Sequence, residues 1–157
     1  HTLLTKPNEI YRALVEATAF GGLTIINRIE EYGVKVDQVI NCGGIAEKNA
    51  MVMQIYADVM DRQMKVSSSS QTCALGSAIA GAVVAGRAAG GYDDFASAQK
   101  MICRTKDVVY KPIAENVKTY KKLYALYKQL HDAFGVQSWD GKLANVMKDL
   151  LAIKESV

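Results

Sequence analysis

Several features are scarce in this 157-residue chain, and each scarcity excludes something. The three cysteines, Cys42, Cys73 and Cys103, are odd in number, far apart and never in C-x-x-C spacing. That argues against a disulfide frame or a cysteine zinc site and for free thiols in a reducing cytosol. With only His1 and His131, a histidine metal cluster is not expected either. The longest uncharged run, "TCALGSAIAGAVVAG" at Thr72–Gly86, has 15 residues. A membrane span needs roughly 20 apolar residues, and this run is made of small residues, so a buried helix is the expectation. No secretory signal peptide is visible at the N-terminus. A cytoplasmic protein is therefore expected. The net charge of +3 is too small to argue for nucleic acid or a membrane surface as partner. Low-complexity tracts and an evident domain linker are also lacking.

What is present is enough for a sizeable core. Half of the residues are apolar and 22% are charged, ordinary values for one globular domain. The first residue is His1 rather than an initiator Met, so a processed or truncated chain is expected.

"TKPNEIYRALVEATAFGGLTIINRIEEYG" predicts a long helix. Thr5 or Asn8 is the candidate cap, and Pro7 suits the first turn. Ile10, Leu14, Ala17, Gly21, Ile25 and Ile29 share one stripe and are the expected buried face. Gly33 is the expected C-terminal stop. Gly21-Gly22 weakens the helix interior and is read as close packing against a neighbour. "VDQVINC" is then a short strand ending in a double glycine. "NAMVMQIYADVM" is a helix with Val52, Ile55, Tyr56 and Val59 on one face. "RQMKVSSSS" predicts a second strand, and Thr72–Gly86 a second helix with Ala74, Ala78, Gly81 or Ala82, and Ala85 on a small-residue face. Two successive strand–turn–helix units suggest parallel strands with a right-handed crossover.

"DDFASAQKMI" predicts a short helix, and "DVVYKP" a strand or an extended link. A long helix over about Ala114–Phe134 has Val117, Tyr120, Tyr124, Tyr127 and Leu130 or His131 at helical spacing. Its Lys118, Lys121, Lys122 and Lys128 are read as a solvated outer face rather than a basic patch. Gly135 ends it. Ser138 or Asp140 starts a last amphipathic helix running to about Glu155.

The double glycine after the first strand is the candidate site. In open α/β sheets ligands bind beyond the carboxyl ends of strands. Gly43 and Gly44 allow unusual backbone angles and leave room for a flat group beside the main chain. Amides at the start of the following helix offer hydrogen bonds, and Ile45 and Lys48 are placed to flank a base or a ribose. A plain tight turn is the alternative for this segment. It is not a P-loop, because "GGIAEKN" lacks the GxxxxGK[ST] spacing.

Here the sequence resembles a known family. "VINCGGIAEKNAMVMQIYADVM" followed by "QMKVSSSSQTCALGSAIAGAVVAG" is similar to the C-terminal domain of the FGGY carbohydrate kinases. The family's adenosine-binding segment, a strand, then GG, then a helix with Q-x-x-A-D, is matched by Gly43, Gly44, Gln54, Ala57 and Asp58. Its A-L-G-x-A helix is matched by Ala74–Ala78. "EIYRALVEATAFG", "MQIYADVM", "YKPIAEN" and "LYALYKQLHDAFG" resemble the branch of the family that acts on ribulose. The similarity runs from about Lys6 to Gly135.

The resemblance implies a partial ribonuclease-H-like (actin-like ATPase) α/β domain, helix-rich, with a short parallel sheet lacking its first strands. It implies an ATP-binding domain over residues 1–137 and a helical extension over 138–157. The activity implied is transfer of a phosphoryl group from ATP, with Mg2+, to the 5-hydroxyl of ribulose in arabinose catabolism. The sugar-binding half with its catalytic aspartate, and the hairpin whose G-T-rich loop meets the phosphates, are expected outside this chain. No catalytic residue is therefore assigned here. Gly43, Gly44, Ile45 and Lys48 are the expected nucleotide-binding residues, with Asn49 a helix cap and Asp58 a structural hydrogen-bonding residue. Lys48 stands where some members have asparagine, a departure from the family's pattern. The fragment alone is expected to be inactive and, with its sheet edge open, to self-associate as a homo-oligomer. Two other readings stand beside this one. One is another sugar kinase of the family, for xylulose or glycerol. The other is a non-catalytic helical interaction module built on Ala114–Phe134 and Ser138–Val157.

Overall fold

A computed structural model describes residues 5–156. Its elements run α1 (Pro7–Glu31), β1 (Gln38–Asn41), α2 (Gly44–Lys48), α3 (Ala50–Met60), β2 (Gln63–Ser67), α4 (Thr72–Ala85), α5 (Phe95–Ile102), β3 (Thr105–Tyr110), α6 (Ala114–Gly135) and α7 (Val146–Glu155). They fall into two compact units. One holds the described residues through Val36, Ile55–Arg62 and those from Lys111 on; the other holds Asp37–Gln54 and Gln63–Tyr110. His1, one of the two histidines counted above, lies outside the described residues.

The first unit is helical. Lys6, rather than Thr5 or Asn8, is the N-cap of α1, with Pro7 in the first turn. The Glu9 carboxylate accepts the Lys6 backbone N–H at 2.7 Å, satisfying a donor the helix itself leaves open. At the other end Gly33 has φ +85°, as a helix-ending glycine requires. The buried face of α1 is not the expected stripe. Leu14 and Ile25 are 63% and 64% exposed, and Ile10 and Ile29 are exposed as well. Burial falls one residue round, on Ala19 and Phe20, with Val15 and Leu23 packed beside them. Apolar residues lie on both sides of α1, and periodicity cannot choose between two apolar faces. The tyrosines of α6 decide it. Phe20 meets Tyr120 edge-on with centroids 6.1 Å apart and Tyr127 at 5.4 Å. Ile55 and Val59 of α3 complete this core. The close packing expected at the paired glycines is found at Gly22, where a methyl group would come within 2.6 Å of the Met60 side chain.

Polar ties reinforce the same unit. Arg62 donates to both oxygens of Glu30, at 2.7 and 2.8 Å, and also to the backbone oxygens of Val36 and Met60. Lys118, Lys121 and Lys122 of α6 are exposed as expected, while Lys128 is half-buried; Lys121 pairs with Asp61 and Lys128 with Asp132. The last helix begins at Val146, later than Ser138 or Asp140, and buries Val146.

The second unit is built on a three-stranded sheet in the order β1-β2-β3. β1 and β2 are parallel, with Val39 opposite Met64 and Asn41 opposite Val66. β3 runs antiparallel to β2, so the sheet is mixed rather than purely parallel. In β2 the alternation is clean: Met64 and Val66 are buried between more exposed Gln63, Lys65 and Ser67. Asp94 caps α5 by accepting the Ser97 N–H at 2.7 Å. The expectation of a buried α4 is corrected. Ile79 is its one buried residue, while Ala74, Ala78, Gly81 and Ala85 are exposed. Side chains this small remove little area from water each, and a lack of charge alone does not place a helix inside.

Candidate functional site

The predicted site residues sit together at the carboxyl end of β1. The strand ends at Asn41, whose amide donates to the sulfur of buried Met64 at 3.1 Å. Gly43 follows with φ 91° and ψ 172°, a conformation that L side chains rarely adopt. Gly44 opens the five-residue helix α2. Methyl carbons at Gly43 or Gly44 would meet no atom within 4 Å, so open space lies beside this backbone. Only Gly43 requires glycine for its angles. At Gly44 the room beside the chain is the feature that remains.

Past the glycines, Ile45 is 71% exposed and Lys48 is exposed, while Ala46 turns inward and is buried. Asn49 breaks the helix and caps the next one, its Oδ1 accepting the Val52 N–H at 3.1 Å. The cap role expected for Asn49 is therefore observed. Glu47 accepts Lys106 Nζ at 2.8 Å. That hydrogen bond, followed by the lysine charge, holds the Glu47 carboxyl below its ordinary range.

A second segment at this end of the sheet escaped the sequence reading. Because β1 and β2 are parallel neighbours, the glycine turn and the serines after β2 leave the same edge. The serines form a self-bonded loop. Ser69 N–H donates to Ser67 Oγ at 3.3 Å and Gln71 N–H to Ser69 Oγ at 3.2 Å. Ser68 ties the loop to Arg104 through its N–H and its hydroxyl, at 3.0 and 3.1 Å. The available signal was the position of "SSSS" beyond the end of a parallel strand.

Asp58, the tempting acid in the Q-x-x-A-D segment, is 2% exposed. It accepts the Ile113 N–H and the Asn116 amide, each at 2.8 Å. Both bonds tie α3 to the start of α6, so Asp58 is built as a structural carboxylate. A cleft in the helical unit shares no residue with the glycine turn. It is lined by Arg12, Glu16, Tyr120, Leu150 and Lys154, among others. There Arg12 bonds to Glu16 at 2.8 Å and to the Tyr120 hydroxyl at 3.1 Å, and that hydroxyl donates to Glu16 at 2.8 Å. Burial, with the bond to Glu16, pushes the Tyr120 phenol up to about 12. Among the described residues, no three His, Cys, Asp or Glu side chains are grouped to hold a metal ion. No described helix is long and apolar enough to cross a membrane.

Residues 2–85, more than half of the chain, match the profile of the FGGY family of carbohydrate kinases, C-terminal domain. The chain belongs to the FGGY family of carbohydrate kinases. The family match covers β1, the glycine turn, β2 and α4. Among curated relatives, the ribulokinase of Bacillus licheniformis is 51% identical over 153 residues, covering 98% of this chain and 27% of the relative. The ribulokinase of Geobacillus thermodenitrificans is 47% identical over 156 residues, with 99% and 27% covered. The chain thus spans 27% of the length of these relatives. The fold is that of solved FGGY sugar kinases. The xylulose kinase of Lactobacillus acidophilus superposes with a TM-score of 0.73 at 20% identity, over 87% of this chain and 26% of that one. The glycerol kinase of Plasmodium falciparum, solved with ADP, gives 0.63 at 23% identity, over 87% and 26%. This is the partial actin-like, helix-rich α/β domain that the sequence resemblance implies, with the sheet corrected from parallel to mixed.

Proposed function

We propose that this FGGY chain is the nucleotide-binding C-terminal part of an ATP-dependent ribulokinase, a cytoplasmic enzyme that phosphorylates ribulose at its 5-hydroxyl in arabinose catabolism. The observation that carries the reading is the similarity to ribulokinases over nearly the whole chain, at 51% and 47% identity. The glycine turn supplies the chemistry. Open space beside Gly43 and Gly44, at the carboxyl end of a parallel strand, suits the flat face of an adenosine. Exposed Ile45 offers apolar contact to the base, and Lys48 a charge near ribose or phosphate. ATP fits this turn as a ligand held mainly through main chain and shape. Magnesium is assigned no residue here, since no described acidic cluster would hold it.

Phosphoryl transfer depends on positioning nucleophile, metal and γ-phosphate together. This chain contributes the adenosine end of that arrangement. The sugar pocket, and the aspartate that takes the hydroxyl proton, belong to the part of the enzyme outside it. The chain alone is then a weak nucleotide binder without kinase activity.

Gly44→Val tests the site, because a Cβ there meets no protein atom within 4 Å and its backbone angles do not demand glycine. In the full-length kinase the valine is expected to weaken ATP binding at least tenfold while the ribulose constant stays put. A coupled assay for ADP release, beside calorimetric titration with ADP, measures both. An unchanged ATP constant in a well-folded variant removes the site. Ribulose-dependent turnover by the 157-residue chain alone, after host kinase is removed, overturns the division of labour.

A further inference from the structure

We propose that the Lys106–Glu47 ion pair positions the glycine turn, so that Lys106 sets nucleotide affinity without touching the nucleotide. The inference rests on the nucleotide reading of Gly43–Lys48 and adds a positioning residue from a different part of the chain.

The turn has few ties of its own. Gly43 and Gly44 have no side chains to pack, and Ile45 and Lys48 face solvent. α2 is five residues long and is cut off at Asn49. Within it only Ala46 is buried. A short helix with one buried methyl group is a weak platform for ligand recognition, because short helices gain most of their stability from tertiary contacts. The side-chain tie from α2 to the sheet is Glu47, which accepts Lys106 Nζ at 2.8 Å across 59 positions of sequence.

Topology explains why the partner is Lys106. β3 runs antiparallel to β2 and pairs Thr105 with Ser67, so β3 starts where β2 ends. That is the edge of the sheet from which the glycine turn also leaves, since β1 is parallel to β2. Lys106, the second residue of β3, therefore stands at the same edge as α2. The backbone just before it is anchored too, because Arg104 O accepts both bonds from Ser68. The lysine is thus held on a fixed strand while the helix it grips carries the turn. The lowered titration range of Glu47 agrees with a carboxylate that stays charged and gripped at neutral pH.

The pair is one third exposed on each side, 36% for Lys106 and 35% for Glu47. Pairs of this exposure have modest effects that salt screens. Its loss should weaken nucleotide binding about two- to fivefold rather than abolish it.

The test uses the full-length kinase with Lys106→Met, Glu47→Gln, the double variant and Lys106→Arg, each titrated with ADP and assayed with ATP and ribulose. Expected are about two- to fivefold weaker ADP binding in each single variant, no further loss in the double variant, near wild-type behaviour for Lys106→Arg, and an unchanged ribulose constant. The gap from wild type should narrow as salt rises. Wild-type ADP affinity in Lys106→Met, or losses that simply add in the double variant, overturns the proposal. So does a parallel fall in turnover and both substrate constants with a lowered melting temperature, which marks general destabilisation. Gly44→Val separates the two levels. If it weakens ADP binding and Lys106→Met does not, the ion-pair role fails and the nucleotide reading stands. If neither changes ADP binding, the nucleotide reading itself fails.

Discussion

α6 and α4 make opposite use of their composition. α4 contains no charged residue, yet it buries Ile79 alone. α6 carries lysines, acids and a histidine, yet it buries Val117, Tyr120 and Leu126 and packs Tyr124 and Tyr127 against Phe20. The difference lies in the size and reach of side chains. An aromatic ring brings about 150–250 Å² of surface to a contact, and a tyrosine ends in a hydroxyl that can still be satisfied. Tyr124 shows both properties: its ring lies 5.9 Å from that of Phe20, and its hydroxyl bonds with Thr24 and Asn27. Alanine and glycine supply neither area nor a polar handle. A charged helix can therefore carry a core while an uncharged one lies on a surface.

The largest expected break in this contrast is at Asp58. Its carboxylate is buried, and it holds the start of α6 through Ile113 N–H and the Asn116 amide. Asp58→Ala leaves the Ile113 N–H and the Asn116 amide without that acceptor. Hydrogen bonds to charged groups contribute about 1.5–3 kcal/mol each, so a loss of about 3 kcal/mol is expected in urea unfolding. A cost below about 1 kcal/mol would mean that the link between α3 and α6 is not held here.

That carboxylate also shows what the sequence made legible. The Q-x-x-A-D segment pointed to the family, and the lack of any catalytic context around Asp58 gave it a structural role, which its two bonds bear out. The parallel pair β1 and β2, the span of α1 to within a turn, the glycine turn and the Asn49 cap were also readable, because each is written in local chemistry. The misses required knowledge of partners. The choice between two apolar faces of α1 depends on tyrosines one hundred positions away. The exposure of α4 depends on what lies over it. The antiparallel entry of β3, and with it the reach of Lys106 to Glu47, depends on strand order, which no short stretch of sequence encodes.

A smaller effect is expected at Tyr120, where the aromatic helix meets the Arg12–Glu16 pair. Tyr120→Phe keeps the ring contact with Phe20 and removes the hydroxyl. About 1.5 kcal/mol of stability should go, the lower end for a hydrogen bond to charged groups, because Arg12 and Glu16 still bond to each other. The pH dependence follows from the phenol, raised from its ordinary value of 10 to about 12 in the folded chain. Between those values the unfolded chain has released this proton and the folded chain has kept it. Stability from this group is thus fully present below pH 10 and is lost as pH rises through about 12. Urea midpoints at pH 8, 10 and 11 should fall more steeply in wild type than in Tyr120→Phe. Equal slopes would mean that the hydroxyl is not held as described.

The smallest effect is expected at Gly76, on the small-residue helix. Had α4 been buried through these residues, Gly76→Leu would overpack a close contact and cost about 1–3 kcal/mol. Gly76 is instead exposed, and a methyl group there would meet no atom within 4 Å. Replacing an exposed helical glycine also removes an intrinsic penalty of about 1 kcal/mol. The expected outcome in this chain is therefore no loss, and a gain of up to about 1 kcal/mol, read from urea midpoints at matched pH. The same substitution in the proposed full-length kinase sharpens the comparison with α6. The relatives carry most of their length outside the matched region. If that remainder covers α4, leucine should cost stability there and not here, and small residues would mark a helix waiting for a close neighbour. If leucine is harmless in both, α4 is a surface helix whose lack of charge has no packing role. A clear loss in the 157-residue chain itself would contradict the open space seen beside Gly76.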